Sequence, residues 1–516
     1  MSPLSFVIRA AGPRALVLAA LGVLLPGSLA QAQELPVQEF ALQNGMRFLV
    51  VVRKDEPQVA GGWVAHVGGA NERPGITGIS HLFEHMMFKG TPTIGTRDAQ
   101  KDAELIAAQE RVRDRIRGEE LRLLRALRRG EVEDITQPEA RTGALKELDA
   151  EFARLVKEQR DLLVKNDFSR IYTAQGGGGM NAFTNHDMTA YYIQVPRNKL
   201  ELWFWMESER LLRPVFREFY AERDVVFEER RMRTESTPTG RLRESFNAML
   251  WDAHPYAWPV VGWPSDIPAI TKAQADAYYA TYYAPNNLTA ALVGDVAPAE
   301  VRRLAEKYFG RLRRGAVPPP EVLTLEPRKE GERRFLAEAP TNPQVEVVWP
   351  AVPFQHRDSY ALELLADVLN GRSGRLHRAL VRTGLSPGAG AHQDNRKYGG
   401  TFHVSAECKE GHTPDEIEKT LHREIDRLRD QPVPAEELQK VKNQNLAAAY
   451  RRLSSNMPIL MQLIYSDGLG DWREVNQEPQ RLAAVTAEDV QRVARKYLIR
   501  DGRAVAVFTR KAGGAK

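Results

Sequence analysis

The residues best placed to do chemistry lie in one stretch, Thr77-Gly-Ile-Ser-His-Leu-Phe-Glu-His-Met-Met-Phe-Lys-Gly-Thr91. His81 and His85 are one helical turn apart, so on a helix both imidazoles leave the same side. Two imidazoles so placed can hold one divalent metal, and zinc suits them best. Glu84 stands beside them, placed to take a proton from a water on that metal without binding the metal itself. A helix is predicted from Ile79, Leu82, Phe83, Met86 and Met87, an i, i+3, i+4, i+7, i+8 apolar stripe that calls for burial. Thr77 is a candidate N-cap and Gly90 a candidate stop. The histidine–glutamate spacing is that of an inverted zinc-peptidase signature, and its value rests on a third ligand elsewhere.

The elements that must position these groups can be read in chain order. Val37–Leu42 and Met46–Val52 flank Gln43-Asn44-Gly45, a strong hairpin signal. Val59–Val67 supplies the next strand, and the motif helix follows. Residues 97–166 are rich in Glu, Arg, Lys, Ala and Leu, and predict two helices, about 98–128 and 139–165, in a charged antiparallel hairpin. Its plainest role is a solvated insertion; a partner or substrate-entry element is the functional alternative. Gly176–Gly179 then lead into Met180-Asn181-Ala182-Phe183-Thr184, which suits a loop feeding a strand. Such an edge can pair with an extended peptide. His186, just beyond, reads as a loop histidine rather than a ligand. Lys199–Leu212 is an aromatic core helix. In Phe219–Arg230, Glu222 and Glu229 are two turns apart on one face. A carboxylate there could complete a His-His-Glu zinc site with an open fourth position. A charged, solvated helix face accounts for the same residues.

Composition bounds the function. Arg9 and Arg14 precede the apolar run Ala15–Leu25 and small residues ending Ala30-Gln-Ala32, the form of a secretory signal (1–32) cleaved after Ala32. The run is too short to span a bilayer, so an exported, periplasmic chain with no stable membrane anchor is expected. The net charge of +5 is well mixed and includes those two arginines, which argues against a nucleic-acid partner. Cys408 is the single cysteine, expected as a small buried residue.

Residues 267–293 and 482–508 align without a gap at an offset of 215. Ile270-Thr271 matches Val485-Thr486, Tyr282 matches Tyr497, and each segment reads as helix, turn and strand. A duplicated domain is expected, with the proline-bearing stretch 311–334 as linker between a first half, 33–310, and a second, 335–516. Phe402–Cys408 and Thr413–Asp430 read as a strand and a helix of the second half. No second His-x-x-Glu-His occurs there, so chemistry belongs to the first half.

The chain resembles the pitrilysin family of zinc peptidases, relatives of insulysin and the mitochondrial processing peptidase. The resemblance rests on His81–Thr91, on Gly178-Gly-Met-Asn-Ala-Phe-Thr184, on Glu222-Arg-Asp-Val-Val-Phe-Glu-Glu229 and on the duplicated halves. It implies an α+β fold of two similar halves, each an antiparallel sheet with packed helices, enclosing a clamshell chamber that admits peptides or unfolded segments. It implies one zinc per chain held by His81, His85 and Glu229, with Glu84 as general base and Glu222 as supporting acid. Glu228 is the rival to Glu229. Asn181, Ala182, Phe183 and Thr184 resemble the family's substrate-pairing edge. Family members often carry an Arg and a Tyr in the second half that hold substrate. Here Arg378 and Arg382 are the candidates, and Pro387 stands where the Tyr is expected. That gap suits a zinc-bearing subunit working with a zinc-less relative. A self-sufficient monomer or homodimer is the second arrangement, and a non-catalytic scaffold subunit of the same fold is the alternative function.

Overall fold

The computed structural model describes residues 34–135 and 137–511, so the expected leader and its cleavage point lie outside the described residues. Strands β1 (Val37–Ala41) and β2 (Arg47–Val52) form the expected hairpin. Gly45 takes the φ of 91° that the turn needs. With β3 (Gln58–Ala65), β4 (Gly178–Thr184), β5 (Thr189–Pro196) and β6 (Leu288–Gly294) they make a six-stranded sheet ordered β1-β2-β6-β3-β5-β4. Every pair is antiparallel except β2–β6. A second sheet comprises β7 (Arg333–Ala339), β8 (Gln344–Ala351), β9 (Ala389–Asn395), β10 (Gly400–Glu407) and β11 (Ala504–Arg510). Its order is β7-β11-β8-β10-β9, again with one parallel pair, β7–β11.

The two orders superpose strand for strand once β1 is set aside. The sequence repeat falls on the corresponding elements: the helix Lys272–Tyr282 feeds β6, and the helix Ala487–Tyr497 feeds β11. Both helices open with a capping box, Thr271 with Gln274 and Thr486 with Asp489. The fold is α+β in two like halves. Between them, residues 312–332 form neither helix nor strand. Cys408 is buried.

In the first half, the motif helix Ile79–Met86 and the helices Leu200–Leu212 and Lys272–Tyr282 pack on one face of the sheet. The other face is covered from the second half. The helix Asn456–Leu469 lays Ile459, Leu460, Leu463 and Ile464 against Leu49, Val51, Ala60, Val64, Ala291 and Val293. Its approach is close: a Cβ at Gly468 would come within 2.4 Å of Met188 Sδ. Asp467 on this helix is fully buried and pairs with Arg47 and, at 3.1 Å, with His66. The exchange is reciprocal, because Phe246 of the helix Gly240–Met249 packs on Val348, Ala504, Ala506 and Phe508 of the second sheet.

The insertion is an antiparallel pair of helices, Ala99–Arg128 and Gly143–Arg160. The second starts later than expected because Thr142 caps it, accepting from the Leu145 amide at 3.2 Å. It has its own small core of Leu105, Val112, Ile116, Leu145, Leu148 and Leu155. Its ends return together, with Arg97 N donating to Leu162 O at 2.9 Å and Val164 N to Gly95 O at 3.1 Å. Its root is not solvated. Arg217 is buried and donates to Asp102 Oδ2 at 2.5 Å and to the carbonyls of Lys89, Thr91 and Ile94. Gln159 donates to the other oxygen of Asp102 at 2.8 Å. One guanidinium thus joins the insertion to the chain leaving the motif helix.

Two expectations about the motif helix need correction. Gly78, with φ 90°, is the N-cap, and Glu72 accepts from the Gly78 and Ser80 amides at 2.8 Å each. Thr77 instead donates to Asp266 at 2.7 Å and accepts from the Trp263 amide. The helix ends at Met86, and Gly90 turns the chain afterwards, where a Cβ would sit 2.2 Å from Ile94 O. No helix among the described residues is long and apolar enough to cross a membrane.

Candidate metal centre and catalytic site

The apolar stripe of the motif helix is buried, at 2 % exposure or less for Ile79, Leu82, Phe83, Met86 and Met87. That burial turns His81 and His85 toward the helix Phe219–Arg230, which brings Glu229. Glu229 Oε2 lies 3.8 Å from His81 Nε2 and 3.4 Å from His85 Nε2. One donor atom from each of the three lies within 4.8 Å of the others, and no other such trio occurs among the described residues. Glu228 points elsewhere, to Arg231 at 2.9 Å, with its side chain 59 % exposed.

The groups around the trio set its chemistry. Burial, helped by the charge of neighbouring His85 and Arg233, lowers His81 to about 3 and so keeps it a neutral donor. Its Nδ1 is buried without a partner. His85 Nδ1 donates to Glu222 Oε1 at 3.0 Å, which fixes the tautomer and leaves Nε2 facing Glu229. Burial disfavours the His85 cation, but the Glu222 hydrogen bond and surrounding carboxylates outweigh it and raise the group. The second oxygen of Glu222 pairs with Lys89 at 2.5 Å. Glu222 stays below the usual carboxylate range, its burial overcome by His85 and Lys89. Glu229 Oε1 meets Arg233 at 2.6 Å. Burial pushes Glu84 up, partly offset by a hydrogen bond from Thr184 Oγ1 to its Oε2 at 2.7 Å.

β4 is an edge strand that, among the described residues, pairs only with β5, which leaves its outer edge open. Asn181, Ala182, Phe183 and Thr184 all line the large cavity, about 1020 Å³, that also holds His81, Glu84, His85 and Glu229. A second cavity, about 450 Å³, opens on the other side of Glu84 and shares Glu84, His85, Asn181 and Ala182 with the first. Arg378 and Arg382 line neither. Arg378 bonds Glu437 at 3.0 Å and Arg382 is exposed. His186 sits in the β4–β5 loop, 3.2 Å from Trp258 O, and stays outside the donor trio.

Sequence reasoning missed three contributors: Lys89, Arg233, and the segment Leu163–Phe168 that leaves the insertion. The first two had a signal, each being a cation four residues after a candidate ligand. The third had none, since only folding brings residue 163 beside residue 84.

The α+β fold thus sets a His-His-Glu donor trio beside the edge strand β4. Residues 49–110 match the family model described as "Insulinase (Peptidase family M16)", and residues 269–445 that described as "Peptidase M16 inactive domain". The zinc protease PqqE of Helicobacter pylori is 26 % identical over 94 % of this chain and 96 % of its own length. An uncharacterized zinc protease of Mycobacterium leprae is 27 % identical over 62 % of this chain and 74 % of its own. A protease crystal structure from Helicobacter pylori superposes with a TM-score of 0.74 at 22 % identity, covering 92 % of this chain and 99 % of that one. The periplasmic protease PqqL from Escherichia coli gives 0.66 at 16 % identity, and the match covers 93 % of this chain but 48 % of that one. Both halves of the chain thus match family M16 models, and the resemblance to the pitrilysin-type family is supported.

Proposed function

We propose that the chain is a zinc-dependent endopeptidase acting on extended peptide segments. One observation carries the reading: three metal donors and a raised carboxyl, Glu84, meet at the unpaired edge of β4. The donor set fits zinc, with two imidazoles and one carboxylate at the spacing of a four-coordinate site that keeps one position open. When bound by His81, His85 and Glu229, zinc supplies Lewis acidity to the scissile carbonyl and to the attacking water. The peptide adds a strand to β4 by main-chain hydrogen bonds along Asn181–Thr184. Glu84, aligned by Thr184, takes the proton of the water and passes it to the leaving amine. Glu222 holds the His85 ring in the tautomer that ligation needs.

A second chain closes the chamber, either a zinc-less relative or another copy. Three features support this: Pro387 offers no hydroxyl, Arg378 is engaged by Glu437, and the large cavity has exposed Val225 and Met232 on its rim. The leader predicted from residues 1–32 supports a periplasmic location. A scaffold role without catalysis accounts for Pro387, but not for an intact donor trio and base.

Metal analysis with a peptide-cleavage assay tests the reading. Wild type is expected to carry one zinc and to cleave, and Glu84→Gln to keep zinc while losing about 100-fold or more in rate. Undiminished cleavage by Glu84→Gln refutes the mechanism. Equal rates for the chain alone and mixed with the product of the neighbouring gene refute the zinc-less partner.

A further inference from the structure

Three parts of the molecule meet at the β4–β5 turn, residues 185–188. The backbone of the turn holds the chain that enters the motif helix: Gly69 N donates to Asn185 O at 3.1 Å and Ala70 N to His186 O at 2.7 Å. The approach is tight, since a Cβ at Gly68 would sit 2.3 Å from Asn185 O. The side chains of the turn serve the second half instead. Met188 is fully buried against Gly468 of the cover helix. Asp187 is 3 % exposed. Its Oδ1 accepts from Tyr256 Oη at 2.5 Å and its Oδ2 from the Lys397 amide at 3.1 Å. Tyr256 Oη in turn accepts from the Tyr398 amide at 3.1 Å.

Lys397 and Tyr398 belong to the β9–β10 turn, residues 396–399. In the matched strand orders, β9–β10 is the second-half counterpart of β4–β5. The edge hairpins of the two halves therefore meet turn to turn, with one buried carboxylate between them. Asp187, Tyr256 and Lys397 line neither cavity at the site, so they act on it only through the strand they hold. That strand ends at Thr184, three residues before Asp187, where the hydroxyl donates to Glu84. The other end of β4 is held less firmly. It starts at exposed Gly178 and Gly179, and its register with β5 slips between Gly178 and Asn181.

We infer that Asp187 and Tyr256 are positioning residues, through which the second half holds the β4–β5 turn and so sets Thr184 against Glu84. The inference rests on the peptidase reading for its kinetic consequence, and it gives the second half a part in aligning the chemistry of the first. A buried carboxylate is tolerated where both oxygens accept hydrogen bonds, and such charge-assisted bonds are the strong ones. Outer partners of this kind keep a reacting group within the small tolerance that catalysis allows.

The test uses the full zinc-loaded chain and one fluorescent peptide. Asp187→Asn leaves one acceptor oxygen for two donors, and Tyr256→Phe removes the bridging hydroxyl. Each is expected to lower kcat by about 10-fold while zinc content stays at the wild-type level. Thr184→Val lowers kcat as well. The double variant Asp187→Asn with Thr184→Val should fall within about 2-fold of the slower single variant, because both changes break the same alignment. The second readout is hydrogen exchange read by mass spectrometry, which should quicken by about 10-fold over residues 178–188 in Asp187→Asn and stay unchanged over residues 456–469. Should Asp187→Asn fail to fold, Tyr256→Phe takes its place in both readouts. Losses that multiply in the double variant, or unchanged exchange over 178–188, overturn the inference. A wild type that does not cleave, with exchange still quickened in Asp187→Asn, supports the clamp and refutes the peptidase reading instead.

Discussion

A chain cut after residue 312 is expected to lose most of the stability of its sheet. The cut removes the helix Asn456–Leu469, whose Ile459, Leu460, Leu463 and Ile464 are all 0 % exposed against the first sheet. At roughly 1.5–3 kcal/mol for each buried aliphatic side chain, these four contribute about 6–12 kcal/mol. That is comparable with the whole stability of a typical domain, about 5–15 kcal/mol. The loss also strips His66 and Arg47 of Asp467. Residues 34–312 should therefore bind an apolar dye and lack a cooperative unfolding transition in urea. Adding a peptide spanning residues 455–470 should restore part of the transition. Within the full chain, Leu463→Ala alone should cost about 2–5 kcal/mol. If residues 34–312 unfold cooperatively at the same urea midpoint as the full chain, the helix exchange does not carry the stability assigned to it.

Three further outcomes follow from the site. Glu222→Gln should weaken zinc binding by about 10–100-fold in a chelator competition, because the amide no longer fixes the His85 tautomer; an unchanged affinity would exclude that role. Asp102→Ala should cost about 3–5 kcal/mol in urea denaturation by leaving Arg217 buried without its carboxylate, and Arg217→Met in the same chain should recover part of it. Glu72 is raised from 4.5 to about 8, chiefly by burial, so the folded state holds a proton that the unfolded state has released. Its contribution is full below pH 4.5 and is lost as pH rises through about 8, so wild type should fall relative to Glu72→Gln over that window, by at most about 5 kcal/mol. A flat difference between the two curves would count against this.

The sequence was most readable where local patterns and long-range packing agree. The Asn44-Gly45 hairpin, the motif helix and the repeated helix–turn–strand at offset 215 all have strong local signals, and the structure has each of them. The stripe Ile79–Met87 predicted its own buried face. The bounds of capping were less readable. Thr77 has the right chemistry for an N-cap, but Asp266, far along the chain, takes its hydroxyl, and Glu72 does the capping. The exchange of helices left no local trace, because Asn456–Leu469 looks like any buried helix until the sheet it covers is known. The insertion misled for a similar reason. Its mixed charges predict a solvated hairpin, whereas Asp102, Gln109 and Gln159 at its root are buried in a polar network.

The helix exchange also governs how the molecule comes into being. The amide of Leu35 bonds to Asn476, 441 residues away, and contacts of such separation form slowly. The first sheet is complete in sequence at Gly294, but its cover ends at Leu469. The first half therefore cannot reach its final packing ahead of the second, whatever the order in which the two emerge.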